Sequence, residues 1–460
     1  MRLVCLSLLF LFCLPMVALG APGGEAQGFD YPWWSALPFL FILLCIAFLP
    51  LVAGHFWHKN LNKFLISLAL GLPVIAYLYF NNEASNHQTM HDLAHEMKEY
   101  VAFIVLLGSL YTISGGILLQ GDLKGKPMTN ACFLGIGSVL ANFIGTTGAS
   151  MLLIRPYLRM NMGRVRKAHL PIFFIFMVSN VGGLLTPLGD PPLFLGFLKG
   201  VGFFWTIELW PQWLVVNGSV LMIFLIWDTI TYTKEDPIIR EGHTVNPKPL
   251  GLRGKRNFLF LAGVIGAVLL KSVPQEDLPT FLQGVPFLSE GLMVLMAILS
   301  LAMTPEGLRE ENEYSWEPII EVAVLFIGIF VTMVPAVQLL SLHGGEMGVS
   351  QPWQYFWLTG GLSAFLDNAP TYVTFGALAA GNPNDFSILM HTKKEILQAI
   401  SCGAVFMGAL TYIGNGPNFM VKAITEGMDI KMPTFFGYLA YSLLILGPIF
   451  VAVTFIFFAP

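Results

Sequence analysis

GLLTPLGDPP, residues 183–192, and GALTYIGNGP, residues 408–417, repeat each other 225 positions apart. The offset sets Thr186 on Thr411, Gly189 on Gly414, Asp190 on Asn415 and Pro192 on Pro417. A second pair, SVLANFIGTT (138–147) and SAFLDNAPTY (363–372), keeps the offset and sets Asn142 on Asp367 and Thr146 on Thr371. All four stretches lie in apolar surroundings, yet they are unsuited to an uninterrupted helix. Proline lacks an N–H and clashes with the preceding turn, and glycine loses more entropy than other residues on ordering. Matching Gly/Pro-interrupted apolar segments in two halves of a chain point to the binding site of a secondary transporter. Here they also carry two carboxylates, Asp190 and Asp367.

Composition narrows the class. Of 460 residues, 55% are hydrophobic and 11% charged, against about 25% charged in a soluble domain, so the lipid bilayer is the expected surrounding. The net charge of −4 decides little, because in a membrane protein the placement of charges outweighs their sum. Cys5, Cys13, Cys45, Cys132 and Cys402 lie in apolar segments without metal or redox spacing, so no disulfide framework is expected. Residues 1–20 read as a signal peptide, with Arg2, an apolar core over 3–17 and Ala18-Leu19-Gly20 before the cleavage point.

Apolar runs suited to the roughly 30 Å hydrocarbon core lie at about 34–53, 64–82, 101–120, 169–201, 213–229, 257–272, 285–304, 319–342, 395–426 and 433–458. Two further stretches, 128–154 and 352–381, require a decision. A full crossing at 128–154 would carry Arg155, Arg159, Arg164, Arg166 and Lys167 to the side opposite Lys124 and Lys126, against the positive-inside rule. A re-entrant hairpin with its tip near Asn142–Thr147 keeps both basic flanks in the cytoplasm. By the repeat, 352–381 is a hairpin entering from the other side. The cytoplasmic loops then hold 18 Lys/Arg and the outer side five: Lys98, Lys199, Lys271, Lys393 and Lys394.

The expected fold is therefore an all-α polytopic membrane protein of two inverted-topology repeats. Each has about five transmembrane helices, one re-entrant hairpin and one broken helix. The first repeat spans 21–228 (hairpin about 128–154, broken helix about 169–201), and 229–256 is a basic cytoplasmic linker. The second spans 257–460 (hairpin about 352–381, broken helix about 395–426). Both the cleaved N-terminus and the C-terminus fall outside the cytoplasm. A third match, at offset 220, aligns Gly108 with Gly328 and Thr112 with Thr332.

Irregular backbone at membrane depth survives only inside protein or along a cavity. Freed carbonyls, threonine hydroxyls and a carboxylate make an oxygen cage for a cation, and the C-terminal ends of half-helices add negative potential. The candidate set is Asp190, Asp367, Asn142, Thr146, Thr147, Thr186, Gly189, Asn368, Thr371, Thr411, Gly414 and Asn415. The two halves swap an amide for an acid (Asn142 with Asp190; Asp367 with Asn415), so each pseudo-symmetric site holds one negative charge and suits one monovalent cation, Na⁺ at Asp190 and at Asp367. If Na⁺ and H⁺ compete for a carboxylate and only the loaded carrier reorients, antiport follows without further machinery.

SNVGGLLTPLGDPPLFLGFLKGV (179–201), ANFIGTTGASMLLIRP (141–156) and FLDNAPTYVTF (365–375) resemble the NhaD-type sodium/proton antiporters of bacteria. These belong to the ion-transporter superfamily that includes arsenite permeases, citrate carriers and divalent-anion/sodium symporters. The resemblance runs over nearly the whole chain after residue 34. It implies two inverted repeats with opposed hairpins, an elevator-like split into scaffold and transport parts, a homodimer, and exchange of Na⁺ or Li⁺ for H⁺ across a bacterial inner membrane. The symporter branch shows Ser-Asn-Thr at both hairpin tips; Asn142-Phe-Ile-Gly-Thr146 and Asp367-Asn368-Ala-Pro-Thr371 depart from that. The alternative within transport is a Na⁺- or H⁺-coupled carrier of di- or tricarboxylates.

His87, His91 and His95 recur at i, i+4, i+8 among acidic residues, a pattern that a solvated interfacial helix, a metal site or a pH sensor would share. Glu290 and Glu321 open helices, and Glu321 has the option of facing a cavity. Lys422 is expected at the cytoplasmic interface, and Gly108, Gly115 and Gly116 at close helix contacts. No phosphate loop, nucleophile elbow or metal-ligand motif is present. Enzyme chemistry, a resident cofactor and nucleic-acid binding are therefore not expected.

Overall fold

The computed structural model describes residues 29–459 apart from 122, 238–250 and 281. The expected signal peptide and the middle of the linker lie outside the described residues. The first helices are α1 (Leu37–Val52), α2 (Asn60–Phe80), α3 (Gln88–Ser114), α4 (Pro127–Arg159), α5 (His169–Met177), α6 (Pro191–Leu198) and α7 (Trp210–Thr233). After the linker come α8 (Asn257–Lys271), α9 (Leu288–Met303), α10 (Glu317–His343), α11 (Pro352–Ser363), α12 (Asn368–Ala380), α13 (Lys394–Met407), α14 (Gly416–Gly427) and α15 (Phe435–Val453). Two three-residue strands, Leu118–Gln120 and Gly251–Arg253, pair antiparallel. Seven helices among the described residues are long and apolar enough to cross a membrane, and the protein is an all-α polytopic membrane protein.

Helix packing sorts the chain into two bundles. In the first, α10 lies on α1, α2 and α3, and α8 and α9 lie on α3 and on each other. Phe103 stacks on Phe326 with ring centroids 4.9 Å apart, and Ser67 Oγ donates to Val324 O at 2.7 Å. A Cβ at Gly328 would stand 2.6 Å from Ile42 Cδ1, so that glycine is a close-packing site. Helices α8 and α9, with 15 and 16 residues, fall short of the about 20 that a perpendicular span takes. The second bundle holds α4–α7 and α11–α15.

By length and hydropathy α4 would pass for a crossing, but it is a hairpin. Gly145 takes φ 75°, ψ 154° inside it, a left-handed conformation that costs glycine least, and the chain reverses there. The two ends come together: Gly125 N donates to Met160 O at 3.1 Å, and Asn130 and Asn161 exchange side-chain hydrogen bonds of 3.1 and 2.9 Å. Helices α11 and α12 form the second hairpin, with Tyr355 edge-on to Phe375 across the arms.

The base of the first hairpin is pinned by Asp228 on α7. It accepts from Arg164 Nη2 at 2.5 Å and Asn130 Nδ2 at 2.9 Å, and His169 Nε2 lies 2.9 Å away. Arg164 and Asp228 are both buried. Removing one partner of a buried ion pair strands the other charge, at a cost of about 3–5 kcal/mol. Asp228→Ala should therefore lower stability by about that much, read as thermal unfolding of detergent-purified protein; an unchanged midpoint would mean the pair is dispensable.

Candidate functional site

The two breaks are built alike. Helix α5 begins at His169 and α13 at Lys394, the same 225-residue step. Each passes into a short 3-10 turn (Val181–Leu185; Gly408–Leu410), an extended threonine (Thr186, φ −141°; Thr411, φ −134°) and an extended N-cap (Asp190, φ −144°; Asn415, φ −154°). Proline follows in the first turn of both α6 and α14, where its missing N–H has no helical partner to lose. The glycines hold the crossing. A Cβ at Gly189 would stand 2.1 Å from Gly183 O, and one at Gly414 2.7 Å from Gly408 O.

Four segments converge on Asp190, which is 1% exposed. Its Oδ1 accepts from Thr146 Oγ1 at 2.8 Å and Asn415 Nδ2 at 3.1 Å, and its Oδ2 accepts from Asn368 Nδ2 at 2.5 Å. The donors come from the first hairpin, the second break and the second hairpin, and all three are neutral. Thr146 N also donates to Gly189 O at 2.8 Å, seating the tip of the first hairpin on the first break. Asn368 Oδ1, in a fully buried residue, has no hydrogen-bond partner.

Asp367 sits apart from this set. It caps α12, its Oδ1 accepting from Ala369 N at 3.1 Å, and Thr371 Oγ1 donates to its carbonyl at 2.9 Å. It is half-buried and lines a cavity of about 700 Å³ together with Thr146, Thr147, Gly189 and Asn415. The cavity runs between the two bundles to a charged mouth. There Lys63 pairs with Glu321 at 2.7 Å and Arg155 with Glu313 at 3.0 Å. Glu321 thus faces the cavity.

The remaining expected residues act on the backbone in this state. Asn142 Oδ1 accepts from Leu185 N at 2.7 Å, and the carbonyl of Asn142 accepts from Thr186 Oγ1. Thr411 Oγ1 donates to Ala364 O and accepts from Gly414 N at 3.1 Å. Asn142 therefore does not join Asp190 in a local amide–acid pair. Asp190 is instead bonded to Asn415, its own counterpart in the repeat, and the two halves share one polar centre. Asp190, Asp367 and Asn415 are N-caps, so half-helix N-terminal ends also meet at the centre. Those ends carry positive partial charge.

Sequence comparison of the halves misses a second layer. Asn180 Nδ2 donates to Asn418 Oδ1 at 2.7 Å, and Asn415 Nδ2 lies 3.2 Å from Asn180 Oδ1. Asn418 Nδ2 donates to Gly408 O and Thr411 O at 2.8 and 2.9 Å, fixing the second break. The repeat register pairs Asn180 with Val405 and Asn418 with Leu193, so a search for matched polar positions discards both. Their signal was simpler: asparagines buried in apolar sequence beside a break.

The weaker signals resolve unevenly. His87 precedes α3 with φ 67° and is off its helical face, while His91 is exposed beside Asp92. Among the described residues no group of three or more His, Cys, Asp or Glu is placed to hold a metal ion. Lys422 pairs with Glu426 at 2.7 Å, and a Cβ at Gly115 would stand 2.3 Å from Tyr314. Lys199, expected in an outer loop, is fully buried against Glu96 and Glu99.

No curated protein matches this chain. The family model CitMHS_2, described as "Putative citrate transport", matches residues 28–458, and the chain belongs to this family of secondary carriers within the ion-transporter superfamily.

Proposed function

We propose that the chain is a cation/proton antiporter, exchanging Na⁺ for H⁺ across a bacterial inner membrane by alternating access. The observation that carries this reading is the donor set of Asp190: three neutral groups and no ammonium or guanidinium. A buried carboxylate without a basic partner is held by a proton or a cation. Asn368 Oδ1 supplies a buried, unpartnered oxygen beside it, and such acceptors are rare unless something fills them. Asp367 lines the cavity and is placed to meet the ion first. With the Lys59, Lys63 and Arg155 side as the cytoplasm, the cavity is the inward-facing path.

The test is purified protein in liposomes with an internal pH dye, challenged with Na⁺, Li⁺ and K⁺ and then with citrate and succinate. A pH change driven by Na⁺ alone supports antiport; a response requiring the organic anion overturns it. That second outcome belongs to a carboxylate carrier, which the cavity volume of about 700 Å³ and the helix N-termini at its floor favour, since such termini attract anionic substrate groups. Against it, Asp190 already fills the anion-favouring position, and the mouth cations Lys63 and Arg155 are paired with glutamates.

Asn368→Ala should weaken apparent Na⁺ affinity about tenfold, equivalent to about 1.4 kcal/mol, with less effect on the maximal rate, because a neutral ligand is lost and both carboxylates remain. The measurement is the Na⁺ dependence of the dye signal. Unchanged affinity would place Asn368 outside the coordination shell.

A further inference from the structure

Lys199 ends α6 and is fully buried, with its ammonium 2.9 Å from Glu96 Oε1 and 3.1 Å from Glu99 Oε2. Both glutamates lie on α3, so these three side chains join the two bundles. Lys199 O also accepts from Phe386 N at 2.7 Å, tying the end of α6 to the segment after the second hairpin. Tyr111, which lines the cavity, lies about 18 Å along α3 from Glu99. The ionic contact is therefore at the end of the interface remote from the mouth. Alternating access requires the path to close at the mouth and open at that remote end, whether the bundles tilt or slide, and a buried ion cluster joins them there.

We propose that Lys199, Glu96 and Glu99 form the outer gate of this carrier, and that the two glutamates share one exchangeable proton while the gate is shut. Two carboxylates against one ammonium leave a net negative charge out of water. A shared proton removes that charge, as in other close carboxylate pairs. Glu96 Oε2 and Glu99 Oε1, buried and without hydrogen-bond partners, are where it would reside. Facing the cluster on α3 are Asp92 (close to Tyr31), His95, whose Nδ1 is 3.5 Å from Glu99 Oε1, and exposed Lys98. From α8 comes Lys271, itself held by Glu290 of α9 at 2.6 Å. Asp385 approaches Gly200 and accepts from Ser387 N. When the gate opens, water enters, the ion pair loses most of its strength and the proton is released outside. Alkaline external pH therefore favours the open gate. This rests on the carrier family and not on which ion is carried.

The test reads gate opening directly. Leu106 is buried and two turns from Glu99 on the same face of α3. With the native cysteines replaced by alanine, Leu106→Cys is labelled by a membrane-impermeant thiol reagent applied to right-side-out vesicles. Labelling should be slow at acid external pH and faster, by about tenfold, at alkaline pH, as the shut and open populations exchange. Adding Glu99→Gln should keep labelling slow at every pH, because a permanently neutral side chain mimics the protonated state. Adding Lys199→Gln should make labelling fast at every pH. Equal rates and equal pH dependence in all three overturn the proposal, and pH dependence surviving in both Glu99→Gln and Glu96→Gln overturns its proton. If Lys199→Gln fails to reach the membrane, Glu99→Gln and Glu96→Gln decide. Since no transported ion enters the measurement, a failure here is separable from a failure of the antiport reading.

Discussion

Asp190→Asn should abolish Na⁺-driven proton movement while the protein still reaches the membrane. The substitution keeps the size of the side chain and one acceptor oxygen for Thr146 and Asn415. The new amide N–H₂ would meet Asn368 Nδ2, donor against donor, at the 2.5 Å contact. Rotation of the Asn368 amide relieves this by offering its otherwise unpartnered Oδ1, so the fold has an inexpensive accommodation. What cannot be restored is the charge and its titration, and exchange should fall to the level of protein-free liposomes. Asp190→Glu should fail less completely and with a displaced pH profile, because the carboxylate is kept but moved by one methylene. Asp367→Asn offers the comparison: if it alone stops exchange and Asp190→Asn does not, the coupling belongs to the cavity carboxylate. Normal exchange with normal pH dependence in Asp190→Asn would remove Asp190 from the transport chemistry.

Gly189→Ala should prevent assembly of the site. Its Cβ would stand 2.1 Å from Gly183 O and 2.7 Å from the Gly183 carbonyl carbon. Both are backbone atoms that cannot rotate away, and the same residue's carbonyl accepts from Thr146 N at the hairpin tip. Overpacking against side chains costs about 1–3 kcal/mol, occasionally more; against a pinned backbone crossing the upper end of that range or beyond is expected. The readout is the yield of monodisperse protein in detergent and its unfolding temperature. Gly416→Ala is the control, since a Cβ there meets nothing within 4 Å, and it should behave as the parent. Equal behaviour of the two variants would show that the crossing relaxes.

The all-α class, the two breaks and the places of the hairpins were legible in the sequence, because each depends on local chemistry. Proline and glycine cannot continue a helix, apolar length sets what crosses, and Gly145 permits the reversal that brings Gly125 to Met160. Asp190 was legible as a buried polar centre for a similar reason: an acid in apolar sequence needs partners inside the protein. What the tertiary structure alone decided is which groups meet. A repeat comparison aligns equivalent positions, and it led to two separate amide–acid pairs. The folded chain places Asp190 against Asn415, its own equivalent, so that Thr146, Asn368 and Asn415 reach a single carboxylate. Asn180 and Asn418 break the repeat and hold the centre together, and no pairing of the halves could reveal them. Charge placement divided the same way. Counting basic residues by loop treated Lys199 as a surface charge, whereas packing of α6 on α3 buries it between two glutamates. Periodicity and composition report what each segment can do alone; the partners of a buried polar group are set by distances between segments far apart in the chain.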